Sequence, residues 1–374
     1  MDLGLNEAQQ MLQNSAREFL EAECPDTYVR AMEEDERGYT PEMWAKMAEQ
    51  GWLGLTIPER YGGVGLGFMD LTVLVEEMGG ALLPGPFFST VVMGGQAIQL
   101  AGSDEQKAEF LPRIAEGQII VTLALTEPSG RWDAAGVEVT ASPSADGFVI
   151  NGAKLYVPNA HVSDYLVVAA RTGEAETDIS LFIVARSASG VSQTLLKTIA
   201  SDRQSEVVFE NVAVPASALL GELSGGWDAV ESVLQWGAIG KCAEMVGGGR
   251  QVLDMTVDYA KERVQFGRPI GSFQAIQHHC ADIATEVDAS RHLTFQAAAR
   301  LNDGLDATRE VAMAKAWVSD SYRRVCALGH QCHGAIGFTK EHNMQLYSRR
   351  AKAAELMFGD SDVHLEAVAD AIGL

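Results

Sequence analysis

The hydrophobic period of this chain changes twice, and this alternation constrains the fold more than any other feature. Up to about residue 117, and again from about residue 223, apolar residues recur at helical spacing. Between these regions, short runs rich in β-branched and aromatic residues are separated by turn-forming residues. The pattern predicts an α+β multidomain protein with an N-terminal helical domain (1–117), a middle antiparallel β-barrel or sandwich (118–222) and a C-terminal four-helix bundle (223–374).

Local signals refine the first helical region. Asn6 with Gln9 forms a capping-box pattern, which predicts that a helix begins there. Thr40 and Pro41 have the residue types of an N-cap and a first helical position, so a second helix is expected after them.

The β-rich block contains one strong turn signal. Asn151-Gly152 separates the apolar runs Phe148–Ile150 and Lys154–Val157. This dipeptide favours a two-residue turn whose residues have positive φ, so the sequence predicts a hairpin of two short strands.

The C-terminal region reads as long helices joined by short links. The predicted helices are Trp227–Arg263, Ser272–Leu301, Asp306–Gly329 and His342–Ala371. Short links between long helices favour antiparallel neighbours, and ligands often bind where domains meet.

The charge balance excludes several classes of partner. The chain carries 28 Lys+Arg against 51 Asp+Glu, a net charge of −23. Nucleic acids and anionic membrane surfaces require a basic face, so neither is an expected partner. No apolar run reaches membrane-spanning length, and the 5 cysteines form no CxxC motif. We therefore expect a cytoplasmic protein with reduced thiols, no membrane span and no metal site.

The segment Arg263–Gln274 concentrates positive charge and turn-forming residues, and it allows two interpretations. It could connect two helices, with Gly267 as the C-terminal cap, Pro269 as a breaker and Ser272 as the next N-cap. Alternatively, Arg263 with the nearby Arg268 could hold a phosphate at an exposed corner.

Three further stretches allow both a structural and a ligand-binding interpretation. Thr126 ends the first strand and could offer its hydroxyl to a ligand, although strand-ending turns are common. Tyr156 could stack on a ring system or belong to the core. The glycine-rich segment 331–339 permits a close backbone approach, and its His333 is expected to bond to the backbone rather than to a metal.

Five motifs carry a family resemblance when they are read together and in order. They are Pro58-Glu59-Arg60-Tyr61-Gly62-Gly63, Thr126-Glu127-Pro128, Asn151-Gly152-x-Lys154, Arg263-x-x-Phe266-Gly267 with Gln274, and Gln331-x-His333-Gly334-x-x-Gly337-Phe338. On a helical, β, helical layout, this set resembles the acyl-CoA dehydrogenase family over essentially the whole chain. The resemblance implies an oxidoreductase that uses FAD to dehydrogenate an acyl-CoA between its α and β carbons.

The resemblance also assigns roles to residues. It implies that Thr126 bonds the flavin ring and that Tyr156 covers it, with the flavin between the β domain and the C-terminal bundle. It further implies that the pyrophosphate and adenosine of a neighbouring subunit's FAD are held by Arg263, Phe266, Gln274, Gln331, Gly334 and Ala335. The expected partners are an acyl-CoA, an electron-transfer flavoprotein as acceptor, and a second subunit in a dimer or tetramer.

Both positions where the family places its catalytic carboxylate differ in this chain. One is Phe358 and the other corresponds to Gly237 and Ala238. Asp360, two residues beyond Phe358, is the nearest substitute, whereas Glu244 lies further along the other helix. A base acts only within reach of the proton it removes, so the identity of the base stays open.

Two contacts on the flavin and substrate sides differ as well. Pro158 occupies a flavin-contact position that is usually threonine, and proline has neither a hydroxyl nor an amide hydrogen. The segment Ser129–Asp133 is shorter than in the family and contains the bulky Arg131 and Trp132. These differences predict a reshaped acyl-CoA side.

The sequence therefore favours an FAD-dependent acyl-CoA dehydrogenase-type protein in lipid or steroid catabolism. Its C-terminal Phe358-Gly359-Asp360 resembles subunits of bacterial steroid side-chain acyl-CoA dehydrogenases, in which a subunit with the base pairs with one without it. The alternatives are a flavoenzyme with altered acyl-CoA chemistry and an FAD-binding or non-catalytic partner subunit.

Overall fold

The computed structural model describes residues 4–374 as eleven helices and ten strands, besides shorter helical turns. The helices are α1 (Glu7–Glu23), α2 (Asp26–Glu34), α3 (Pro41–Glu49), α4 (Phe68–Gly80), α5 (Gly95–Ala101), α6 (Asp104–Ala115), α7 (Trp227–Glu262), α8 (Gln274–Asn302), α9 (Thr308–His333), α10 (Met344–Leu356) and α11 (Ser361–Ile372). A π-helix, Phe88–Gly94, leads into α5.

The strands fall into one large sheet and one small ribbon. They are β1 (Val121–Ala124), β2 (Thr140–Ser144), β3 (Gly147–Pro158), β4 (Tyr165–Arg171), β5 (Ile179–Ala185), β6 (Val191–Leu196), β7 (Gln204–Pro215), β8 (Leu219–Leu220), β9 (Val264–Gln265) and β10 (Arg268–Pro269). The expected α+β multidomain class, with helices before and after a β domain, is confirmed.

The chain divides into two compact units. The helical unit contains the residues up to Ala31, Gly67–Leu83 and Ala238–Leu374. The sheet unit contains Met32–Leu66 and Pro84–Gly237, and it also includes α3, α5 and α6.

Within the helical unit, α4 and α7 approach so closely that glycine is required on both. A Cβ on Gly247 would lie 1.8 Å from the carbonyl oxygen of Glu76, and one on Gly79 would lie 2.0 Å from that of Glu244. These distances are far shorter than any van der Waals contact, so the two backbones touch at these points.

Buried carboxylates of α4 join three other helices to it. Glu76 and Glu77 are 1% and 3% exposed. Arg250 of α7 pairs with both, Arg17 of α1 pairs with Glu77, and Arg291 of α8 pairs with Glu76. Burial raises the pKa of Glu76 against the opposing effect of Arg291 and Arg250.

The large sheet has the strand order β6-β7-β3-β2-β4-β5-β8, and β1 pairs with β4. Most neighbours are antiparallel, but β1 and β2 each pair with β4 in parallel. Its core is apolar: Ala124, Val139, Ala141, Ile150, Val157, Ala160, Leu166, Val168, Ala170, Phe182, Val184, Val207, Phe209, Val212, Val214 and Ala218.

The caps predicted for the first helices are confirmed. The Asn6 side chain accepts from the Gln9 amide at 2.9 Å, and the Gln9 side chain accepts from the Asn6 amide at 3.2 Å. The Thr40 hydroxyl accepts from the amide of Met43, which closes the first turn of α3.

The hairpin predicted at Asn151-Gly152 is wrong. Strand β3 continues through this dipeptide because the residues on both sides of it pair with β7. The register shifts between Ile150 and Gly152, whose φ is 131°, so the pair forms a bulge inside one long strand. The hairpin lies earlier, where Ser144 of β2 pairs with Gly147 of β3.

Two strands and one helix boundary also differ from the prediction. The edge strands β6 and β8 carry no clear apolar alternation, so the sequence pattern does not predict them. The single helix expected over His342–Ala371 is two helices, α10 and α11. They separate because Phe358 and Gly359 adopt left-handed φ values of 61° and 87°.

Candidate functional site

Thr126 lies just beyond the end of β1 and is half-buried. Its carbonyl oxygen accepts a hydrogen bond from the amide of Leu155 at 2.8 Å, which fixes this turn against β3. Its hydroxyl makes no hydrogen bond within residues 4–374. The hydroxyl is therefore available to a ligand.

Tyr156 is exposed rather than part of the sheet core, with 55% of its surface accessible. Its φ of 54° is unusual for a residue with a side chain, and the register of β3 against β7 shifts between Lys154 and Val157. At this irregularity the Tyr156 side chain is exposed, whereas Lys154 and Val157 on either side of it are buried.

Pro158 ends β3 two residues after Tyr156 and is half-buried. Its carbonyl oxygen accepts from the hydroxyl of Thr122 at 2.7 Å. The next residue, Asn159, has a φ of 56°, and its amide donates to the carbonyl of Arg203. The backbone at this strand end is held on both sides, but Pro158 offers no donor of its own.

A buried ion pair joins the Thr126 turn to the Tyr156 strand. Lys154 Nζ lies 2.5 Å from Glu127 Oε1, and the two residues are 0% and 3% exposed. Burial lowers the pKa of Lys154 to about 8, against the opposing effect of Glu127. Both residues belong to the motifs that carry the family resemblance, but the sequence alone does not predict that their side chains meet.

The shortened segment after Pro128 folds onto itself. Arg131 Nη2 lies 2.6 Å from Asp133 Oδ2, and both side chains are about half exposed. Asp133 also accepts from the amide of Gly136, and its pKa is lowered chiefly by the hydrogen bond from Arg131. Arg131 is therefore held by a neighbour in sequence.

The Arg263–Gln274 segment contains a small β-ribbon that the helix-connection interpretation did not include. α7 ends at Glu262, and β9 and β10 then pair around Phe266 and Gly267. Both turn residues have positive φ, 54° and 77°, as a type I′ turn requires. Gly267 is thus a turn residue and not a helix cap, and the residue that precedes α8 is Phe273 rather than Ser272.

The ribbon presents aromatic and basic groups. Phe266 is 91% exposed. The Arg268 guanidinium lies 4.1 Å from the ring centre of Phe273, within cation–π range. Arg263, Gln274 and Gln331 are exposed, and their side chains form no hydrogen bond or ion pair inside the described part of the chain.

Helix packing brings these groups to one end of the helical unit. Ser290 Oγ of α8 lies 2.9 Å from Ser321 Oγ of α9, and Arg324 of α9 pairs with Glu286 of α8. This antiparallel register places the start of α8, at Gln274, beside the end of α9.

The turn after α9 has the open backbone expected of its glycines. Gly334 has a φ of 65°, and a Cβ there would meet nothing within 4 Å. Ala335 is exposed beside it. His333 Nδ1 lies 2.8 Å from the carbonyl oxygen of Gly329, which confirms the prediction of a backbone-bonded histidine. Its ring stacks on Tyr259 of α7 at a centroid distance of 4.6 Å.

The loop at Phe358, the first expected base position, is tightly held. Phe358 is buried, and Lys315 Nζ donates to the carbonyl oxygens of Gly359 at 2.7 Å and Glu355 at 2.9 Å. Asp360 caps α11, since its carboxylate accepts from the Val363 amide at 3.1 Å. Asp360, the substitute that lies two residues beyond Phe358 in the sequence, is thus engaged by its own helix.

The second base position offers no carboxylate either. Gly237 and Ala238 are buried in α7. Glu244, further along this helix, has its carboxylate 2.7 Å from Lys241 Nζ.

Three protein-family models match consecutive parts of this chain. Profiles described as acyl-CoA dehydrogenase N-terminal, middle and C-terminal domains match residues 6–118, 122–212 and 224–373. The chain belongs to the acyl-CoA dehydrogenase family. This family consists of FAD-dependent oxidoreductases that act on CH–CH bonds.

Individual acyl-CoA dehydrogenase relatives cover nearly all of the chain. A probable acyl-CoA dehydrogenase of Bacillus subtilis, YngJ, is 33% identical over 97% of both proteins. Butyryl-CoA dehydrogenase of Megasphaera elsdenii is 30% identical, with a TM-score of 0.92 over 100% of both chains. A chain of the ChsE4-ChsE5 complex of Mycobacterium tuberculosis is 28% identical, with a TM-score of 0.91 over 100% of this chain and 99% of that one.

The donors available on this acyl-CoA dehydrogenase chain suit FAD. A free hydroxyl on Thr126 and an exposed ring on Tyr156 match a flavin ring. Unpaired Arg263 and the amides of Gln274 and Gln331 match a pyrophosphate and an adenosine. No group of three or more His, Cys, Asp or Glu within residues 4–374 could hold a metal ion. Across the same residues, no helix is long and apolar enough to cross a membrane.

Proposed function

We propose that this protein is the subunit without the base in a hetero-oligomeric acyl-CoA dehydrogenase. The observation that supports this most strongly is Phe358, which is buried at the family's base position in a loop that Lys315 holds. The second position, Gly237, also lacks a carboxylate, and Asp360 caps a helix. A related dehydrogenase subunit would supply the carboxylate.

In this role the residues of this chain hold the cofactor, and they do not remove the α-proton of the acyl-CoA. When bound, FAD supplies the hydride acceptor for the β-carbon of the acyl-CoA. Thr126 would donate its hydroxyl hydrogen to the flavin ring, and Tyr156 would cover a ring face. Arg263, Gln274 and Gln331 hold the phosphates and adenosine of the FAD of a neighbouring subunit. Removal of the α-proton requires a carboxylate within hydrogen-bond reach, which we assign to the partner subunit.

The structure of the ChsE4-ChsE5 complex lends support, because a protein of the same fold occurs there in a complex of two named components. An electron-transfer flavoprotein is the acceptor that we propose for the reduced cofactor. Its role predicts that reoxidation of the substrate-reduced protein depends on the concentration of that flavoprotein.

Purification of the tagged protein from its native cells tests the proposal directly. We expect a yellow complex that contains a second dehydrogenase subunit with a glutamate or aspartate at a base position. Recovery of a single chain that an acyl-CoA bleaches without any partner would contradict the hetero-oligomer. Recovery of a colourless protein would contradict the FAD-dependent role.

Substitution of Arg263 tests the phosphate role. Because the guanidinium has no partner in the described chain, Arg263→Gln removes a charge that only a ligand would use. We expect about tenfold weaker FAD binding, roughly 1.4 kcal/mol, and a weaker dependence on salt. Lys261→Gln is the matched control, because Lys261 lies nearby but already pairs with Asp258. An equal loss in both variants would contradict a specific phosphate contact.

A further inference from the structure

Within the sheet unit, both side chains of the Glu127–Lys154 ion pair also form hydrogen bonds to the backbone. Lys154 Nζ donates to Glu127 Oε1 at 2.5 Å and to the carbonyl oxygen of Leu125 at 3.0 Å. The Glu127 carboxylate also accepts from the amides of Glu138 at 2.8 Å and Val139 at 3.1 Å. The two side chains thereby fix three backbone segments: the end of β1, the approach to β2 and the middle of β3.

Such a pair is a weak source of stability compared with apolar residues of the same size. Removing two ions from water carries a large desolvation cost, which their attraction and hydrogen bonds offset only in good geometry. The surrounding core of this sheet is apolar, so leucine or methionine would also fill the space. The directional hydrogen bonds of the pair instead determine where the connected segments lie.

Those segments carry the two side chains assigned to the flavin ring. Glu127 directly follows Thr126, and Lys154 precedes Tyr156 by two residues. Between them, the Leu155 amide donates to the Thr126 carbonyl at 2.8 Å. Tyr156 has a left-handed φ of 54°, a conformation that persists only where the surroundings determine it. The register of β3 against β7 shifts between Lys154 and Val157, so Lys154 is the last paired residue before the irregularity that contains Tyr156.

We propose that Glu127 and Lys154 are positioning residues that set the distance between the Thr126 hydroxyl and the Tyr156 ring, and thereby the seat of the flavin ring. The positioning of the two segments stands on the contacts of this chain. Its consequence for the flavin rests on the proposed function. Neither residue is assigned a contact with substrate or cofactor.

Three variants of the full-length protein separate positioning from general stability. Lys154→Met removes the cation. Glu127→Gln removes the charge but keeps an acceptor for the amides of Glu138 and Val139, and it takes the place of Lys154→Met if that variant does not fold. Phe182→Leu is the matched control, because Phe182 is buried in the same core but takes no part in the Glu127–Lys154 ion pair or in its hydrogen bonds.

The first measurement uses FAD and ADP as separate probes of the apoprotein. We expect Lys154→Met to weaken FAD binding about tenfold or more and to shift the visible absorption bands of the bound flavin. ADP, which lacks the flavin ring, should bind as in the unchanged protein. Glu127→Gln should show the same effects to a smaller extent, and Phe182→Leu should show neither. Wild-type affinity and bands in Lys154→Met, or equal losses in Phe182→Leu, would overturn the proposal.

The second measurement needs no flavin. Hydrogen exchange of the Leu155 and Val139 amides should be faster in Lys154→Met than in Phe182→Leu at matched thermal stability. If the unchanged protein takes up no FAD, the proposed function fails, and this comparison still decides whether the pair positions the two segments. Equal exchange in the two variants would overturn the positioning role.

Discussion

Each unit of this protein contains a fully buried lysine that supports a segment to which the family resemblance assigns a role, and the two lysines differ in their partners. Lys154, under the Thr126 and Tyr156 segments, pairs with a carboxylate. Among residues 4–374, Lys315, under the Phe358 loop, donates only to neutral oxygens: the hydroxyl of Ser319 and the carbonyls of Glu355 and Gly359. Burial lowers the pKa of both to about 8.

The comparison separates the hydrogen bonds that support a segment from the side chain that the segment presents. At the segments that carry Thr126 and Tyr156, both the supporting ion pair and the side chains assigned to the cofactor are present. At the Phe358 loop, Lys315 fixes two backbone carbonyls, and the side chain at position 358 is not a carboxylate. These bonds hold the loop through its backbone and do not involve the side chain at position 358.

Restoring the carboxylate should give the largest effect. Phe358 already has a φ of 61°, so a replacement with another non-glycine side chain adds no new backbone strain. We expect Phe358→Glu alone, with butyryl-CoA as the probe, to bleach its flavin about 100-fold faster or more than Phe358→Gln. The measurement is stopped-flow absorbance at the flavin band. Equal rates for the two variants would show that the Phe358 loop no longer serves as a base position.

Substituting the two lysines one at a time should show different losses of unfolding free energy for the ion pair at Lys154 and for the uncharged partners of Lys315. Lys154→Met leaves the Glu127 carboxylate buried without its cation, which costs about 3–5 kcal/mol of unfolding free energy. Lys315→Met leaves unsatisfied oxygens but no ion, and should cost about 1–3 kcal/mol. Urea unfolding of the two variants measures the difference. A larger loss for Lys315→Met would reverse the distinction drawn between the two sites.

The smallest expected effect is the pH dependence of the unfolding free energy that each lysine causes. The folded-state pKa of each lysine, about 8, lies below the ordinary value of 10.5. Between these values the unfolded state binds the proton and the folded state does not, so each lysine makes stability rise with pH across this window. Below pH 8 both states are protonated and the burial penalty is fully present.

Difference profiles isolate this contribution. Cys24, Cys242 and Cys326 oppose it, because burial raises their pKa values to about 12 and their contribution to stability falls above pH 9. Wild type minus Lys315→Met, measured by urea unfolding from pH 7 to 10.5, cancels most of that background. A difference that stays flat across the window would contradict a lowered pKa of Lys315.

Local sequence signals predicted local structure well. The caps at Asn6 and Thr40 were correct because a capping side chain bonds to amides within the same helical turn. The break before α11 has a local signal of the same kind, Gly359 followed by the capping Asp360. Apolar residues recur at helical spacing on both sides of this signal, so the sequence pattern predicts a single helix. The site residues assigned by the resemblance stay predictions, apart from the exposure and free donors that the structure gives them.

The sequence by itself determined the alternation of helical and β regions, the family and the absence of a carboxylate at Phe358 and Gly237, because these depend on residue type and order. Only the tertiary structure decided that Asn151-Gly152 is a bulge and that Lys154 meets Glu127. Both depend on which distant segment becomes the neighbour. A dipeptide that favours a turn forms none when both of its flanks pair with the same strand, and a lysine in a strand is ordinary until a buried carboxylate faces it.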